Sequence, residues 1–174
     1  MSEPTSTTDP RASAPTGTGG GAPASSDLAP SDPARSDLTP HARLPHARLP
    51  YALEVECEFA AAHAIVLAGE RERLHGHNWR VVVSVAGERL DGEELLCDFH
   101  LVERLLGDIV APFRDGNLNE TAPFDRINPT AEALARHVAR ELAAALVAHV
   151  PAVHLEWVRV TEAPRCTAVV RLAP

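Results

Sequence analysis

The chain contains no lysine; all sixteen of its basic residues are arginine. Schiff-base chemistry and a lysine general base are thereby excluded. Aromatic residues are scarce, at 4%. Only three cysteines occur, Cys57, Cys97 and Cys166, and this odd, widely spaced set makes no disulfide framework. No apolar run approaches the roughly 18 residues of a membrane span. Nor does the N-terminus show a positive region followed by an apolar one, so a reduced, cytoplasmic setting is the expectation. A net charge of −8 without a basic cluster argues against nucleic acid and membrane surfaces as partners.

What is present divides at about residue 50. Nine of the fifteen prolines lie in the first fifty residues, among Ser, Thr, Ala, Gly and Asp. Such a composition buries too little apolar surface to offset the entropy of ordering, so residues 1–50 read as a disordered tail. The tail ends in a direct repeat, His41–Pro45 followed by His46–Pro50, which reads as a linker or as a docking peptide. Residues 51–174 are long enough for one modest core.

After Pro50 the pattern takes period two. Leu53, Val55, Cys57 and Phe59 alternate with Glu54, Glu56 and Glu58, predicting a half-buried strand with an acidic outer face. A second strand is expected over about 74–85, and a short extended piece at Leu95–Cys97. Asp98 stands as the N-cap of a helix that Pro112 stops. Residues 113–127 read as a loop. Asn128-Pro129 predicts the cap and first position of a second helix, ended by Pro151. Strands over 153–161 and 167–172 complete the order ββααββ. That order argues an α+β fold: a four-stranded antiparallel sheet with two helices on one face.

His75 and His77 lie two apart on the second strand, so both imidazoles face the same side. His63 follows the first strand. Three imidazoles from neighbouring strands suit a tetrahedral zinc with one open position. Isolated strand histidines are also ordinary core residues, so spacing alone leaves both readings open.

The motifs Phe59…His63, Leu74-His75-Gly76-His77-Asn78-Trp79, Asp98-Phe99, Leu118-Asn119, Asn128-Pro129-Thr130-Ala131-Glu132 and Thr161-Glu162 occur in that order. Together they resemble the 6-pyruvoyl-tetrahydropterin synthase / 6-carboxytetrahydropterin synthase family over nearly all of residues 52–172. The resemblance implies the T-fold, with His63, His75 and His77 as zinc ligands. It implies that Glu162 anchors a pterin ring, as a carboxylate accepting two parallel N–H bonds can. It sets the Thr130 hydroxyl near that ring and Glu132 in the same motif; ordinary helix-start chemistry is the alternative for both. The implied activity is a 6-carboxytetrahydropterin synthase-like lyase acting on dihydroneopterin triphosphate, feeding deazapurine biosynthesis of the queuosine kind. The implied assembly is a homo-oligomer, of which a hexamer is one form.

Two positions depart from the family. Arg71 stands where the usual cysteine precedes His-Gly-His. Glu72, in Glu-x-x-His-Gly-His, looks like the variant in which glutamate replaces that cysteine and a 6-hydroxymethylpterin is made; a solvated charged turn is the alternative. Arg114 and Asp115 stand where an Asp-His pair is usual, so Asp115 supplies a carboxylate and the histidine is missing. These changes leave open a homologue that binds zinc and pterin with altered or lost catalysis.

Overall fold

A computed structural model describes residues 49–173; the expected tail lies almost wholly outside the described residues. Strand β1 (Tyr51–His63) pairs antiparallel with β4 (His75–Gly87), from Tyr51 opposite Gly87 to His63 opposite His75. Leu53, Val55, Phe59, Ala61 and His63 are all buried, while Glu54, Glu56 and Glu58 are exposed. The alternation in the sequence is thus the two faces of one strand. β6 (Val153–Ala163) pairs with β4, and β7 (Cys166–Arg171) with β6.

Helices α1 (Phe99–Val110) and α2 (Ala131–His149) supply the rest of the core. Asp98 caps α1 by accepting from His100 N at 2.9 Å. Val102, Leu106 and Val110 turn inward from α1, and Leu134, Val138, Leu142 and Leu146 from α2. Each is at most 1% exposed, and each buried leucine is worth about 1.5–3 kcal/mol.

The four expected strands form a sheet of five, in the order β5-β1-β4-β6-β7. The added strand, β5 (Gly116–Asn117), pairs parallel with β1 at Ala61 and Ala62. It makes the sheet mixed rather than wholly antiparallel, and two residues are too short to show periodicity. It lies in the segment expected to be loop, which also forms a 3-10 turn at Leu118–Glu120 and is entered through another at Ala111–Phe113. Leu95–Cys97 is a bend, not a strand. The charged turn after His63 is a small hairpin, β2 (Val66–Leu67) with β3 (Glu70–Arg71). Ala68 (φ 51°) and Gly69 (φ 87°) both take positive φ, as a two-residue hairpin of type I′ requires. Ala-Gly lacks the Asn-Gly signal of such turns.

The cap of α2 is Thr130, not Asn128. Its hydroxyl accepts from Ala133 N at 3.2 Å. Asn128 is instead bonded to the backbone of Val66, far away in sequence.

Candidate metal centre

The register of β1 and β4 decides where the histidines meet. His63 lies directly opposite His75, with His77 opposite Ala61, so all three imidazoles share the helix-facing side. Ring centroids of the three lie 4.7–5.1 Å apart. Trp79, fully buried, stands edge-on to His63 at 4.9 Å and donates from Nε1 to Ala61 O at 3.2 Å. The buried indole thus fixes one wall of the cluster.

Glu162 completes it from β6. The β6–β7 pairing shifts register between Thr161 and Ala163, so Glu162 has no opposite residue on β7. Such irregularities re-aim side chains beside functional sites. Glu162 Oε1 lies 2.9 Å from His63 Nε2 and 3.4 Å from His77 Nε2. One donor atom from each of His63, His75, His77 and Glu162 falls within 4.8 Å of all the others.

Backbone carbonyls orient two of the rings. His63 Nδ1 is 2.8 Å from Pro129 O, and His75 Nδ1 is 2.8 Å from Arg73 O. A carbonyl only accepts, so each Nδ1 carries the hydrogen, and it is Nε2 that offers a lone pair to a metal in the neutral ring. This is the usual outer support of a metal-binding histidine. The buried Nε2 atoms of His63 and His77 make no hydrogen bond. A carboxylate oxygen and an imidazole lone pair 2.9 Å apart are two acceptors face to face. A positive species between them relieves the repulsion, and a divalent cation held by the three imidazoles places that charge beside the carboxylate. Burial, the largest influence, lowers the His77 pKa, with Glu162 opposing; that favours the neutral, metal-binding form.

The remaining expected residues are spread around this cluster. Glu72 is exposed; its amide donates to Ile65 O at 3.0 Å, and its carboxylate acts electrostatically on His77. Asp115 is exposed at φ 55° and lines, with His77, Asn78 and Gly76, an open groove of about 490 Å³. Thr130 follows the carbonyl that holds His63, and its hydroxyl serves the helix cap. Glu132 is exposed in the first turn of α2. Neither Thr130 nor Glu132 hydrogen-bonds or ion-pairs with the imidazoles. Arg114 donates to Glu58 O at 3.0 Å. Burial pushes the Cys57 thiol up to about 11, so it offers no thiolate at neutral pH.

The sequence profile of 6-pyruvoyl tetrahydropterin synthase matches residues 52–173. The chain belongs to the 6-pyruvoyl tetrahydropterin synthase family. A protein of Archaeoglobus fulgidus, provisionally named 6-carboxy-5,6,7,8-tetrahydropterin synthase, is 30% identical over 89 residues, covering 51% of this chain and 73% of that one. The 6-pyruvoyl tetrahydropterin synthase of Caenorhabditis elegans superposes with a TM-score of 0.61 at 20% identity, over 73% of this chain and 99% of that chain. A Plasmodium vivax 6-pyruvoyltetrahydropterin synthase, solved with a catalytic glutamate replaced by alanine, superposes at 0.53 with 16% identity, over 71% of this chain and 99% of that one. At these identities the superpositions establish the T-fold.

Membership of this family does not name the outer support of the site. Asn119, Asn128, the Pro129 carbonyl and Trp79 were visible in the sequence only as parts of motifs. Their contacts are long-range, so no local pattern reveals them.

Proposed function

We propose that this protein is a zinc-dependent pterin synthase converting dihydroneopterin triphosphate by triphosphate loss, side-chain cleavage or both. The observation that carries the reading is the facing of His63 Nε2 and Glu162 Oε1 inside a cluster of three imidazoles. One nitrogen from each imidazole lies within 4.8 Å of the others, a span that three ligands of one tetrahedral zinc can close around. His63, His75 and His77 would hold the ion. Lewis-acid polarisation of the ligand's side-chain hydroxyls is the chemistry zinc supplies when bound.

The protein's own residues do the rest. Glu162 is assigned to the pyrimidine edge of the pterin, where a carboxylate accepts two N–H bonds. Its contact with the imidazoles keeps the ring-binding group beside the metal. Thr130 and Glu132, at the start of α2, are assigned to the ring's periphery. Glu72 is assigned as general base, moving the side-chain proton; a catalytic glutamate in the Plasmodium vivax relative supports this choice. Asp115, in the groove that His77 also lines, is the second carboxylate for proton transfer. The product is of the 6-carboxytetrahydropterin or the 6-hydroxymethylpterin kind, the former feeding deazapurine synthesis. We further place the enzyme in the cytoplasm as a homo-oligomer, a hexamer being one form; the edge position of β7, which leaves a strand edge to be covered, supports this.

A second reading, a zinc- and pterin-binding homologue without turnover, is favoured by Arg71 and Arg114 at the family's catalytic positions. One experiment separates the two. Zinc-loaded protein is incubated with dihydroneopterin triphosphate and the pterins are identified by mass. Product formation supports the enzyme; bound but unchanged substrate supports the binder.

A further inference from the structure

His63 is the only candidate ligand that is fully buried, and the chain leaves the sheet directly after it. Residues 64 and 65 pair with no strand, so the peptide groups that follow His63 need partners from elsewhere. Two asparagines supply them. Ala64 N donates to Asn119 Oδ1 at 2.8 Å, and Asn119 Nδ2 donates to Ala64 O at 2.9 Å. Two residues on, Val66 N donates to Asn128 Oδ1 at 2.8 Å, and Asn128 Nδ2 donates to Val66 O at 2.9 Å. A carboxamide carries the same donor and acceptor as a peptide group. Each asparagine therefore replaces one rung of a missing strand.

Both clamps sit directly beside buried residues. Asn119 follows Leu118, which is fully buried, and its own amide donates to Asn117 Oδ1 at 3.1 Å. Asn128 directly precedes buried Pro129, the residue whose carbonyl takes the His63 Nδ1 hydrogen. One segment, 118–130, thus grips His63, Ala64 and Val66 at three consecutive points.

We propose that Asn119 and Asn128 are positioning residues that set the angle of the His63 imidazole toward the metal by clamping the backbone that follows it. The proposal rests on the metal reading above and goes beyond it by assigning residues that touch neither metal nor substrate. Groups that orient a ligand from outside its contact shell govern about 10–100-fold of metal affinity; a clamp one bond further out belongs near tenfold.

Cobalt(II), whose visible absorption reports ligand geometry, is titrated into the metal-stripped full-length protein. Asn119→Ala and Asn128→Ala are compared with wild type and with Asp98→Ala, which removes the distant cap of α1. The expected result is roughly tenfold weaker cobalt binding and an altered visible band in both asparagine variants, with neither change in Asp98→Ala at a comparable fall in Tm. Should the alanine variants not fold, Asn119→Ser and Asn128→Ser show the same shift at smaller size. Wild-type affinity and band shape in folded asparagine variants would overturn the proposal. A wild-type protein that takes up no cobalt would overturn the metal reading itself.

Discussion

Glu162 Oε1 and His63 Nε2 stand 2.9 Å apart, joining the last hairpin to the end of the first strand. A carboxylate that reaches a metal-binding imidazole can serve as a fourth ligand or as an anchor for the ring beside it. Our assignment is the second. Glu162→Ala then keeps about one equivalent of zinc on its three imidazoles and loses pterin affinity. Two charge-assisted hydrogen bonds are removed, each worth about 1.5–3 kcal/mol, so the loss is at least about a hundredfold. Metal analysis alongside a pterin fluorescence titration checks both halves, and loss of zinc would make Glu162 a ligand.

His75→Ala removes one of three imidazoles. It should lose the zinc equivalent, and chelation of wild type should lower Tm, because a metal bound only by the folded chain stabilises it. Retention of one equivalent would exclude His75 as a ligand.

Glu72→Ala should abolish turnover while zinc content and pterin binding stay at wild-type levels, since Glu72 is exposed. Single-turnover assays with product identification by mass test this. Undiminished turnover would return Glu72 to a solvated turn.

The cysteines should be dispensable. With its thiol at about 11, Cys57 is thiolate in only about one molecule in 10,000 at pH 7. Burial also raises the Cys97 thiol, whereas Cys166 is exposed. One thiol per chain should therefore react promptly with a thiol reagent and the other two only on unfolding. Activity of Cys57→Ala should match wild type.

Stability should depend on His137, away from the cluster. Its ring stands edge-on to Phe113 at 5.5 Å and Phe124 at 5.6 Å, and its Nδ1 is buried without a hydrogen bond. Burial lowers its pKa, and Arg140 adds to that; Glu141 on the same helix opposes it. The unfolded chain therefore binds a proton more readily than the native one. Stability is full above the unfolded pKa of about 6.5 and is lost as pH falls below it. Denaturant titrations across that range should show His137→Leu flattening the slope; an unchanged slope would assign it to other groups.

How much of this was legible in advance varies by element. The β1 alternation, the Asp98 cap, the paired histidines and the motif order were all readable, because each is set by spacing within a few residues. The α2 cap was misplaced by two residues because Asn128 and Thr130 are both good caps, and only the long-range bond of Asn128 to Val66 decides between them. β5 and the β2–β3 hairpin escaped because strands of two residues carry no period.

The site divides the same way. The amino-acid sequence by itself determined which donors exist: imidazoles, carboxylates and arginines, with no lysine and no cysteine at the expected place. Only the tertiary structure decided that His63 meets His75 and His77, that a register shift brings Glu162 to them, and that Asn119 and Asn128 hold the chain after His63. Those outcomes depend on pairing register and on contacts across 55 to 66 residues. Local propensity is blind to both.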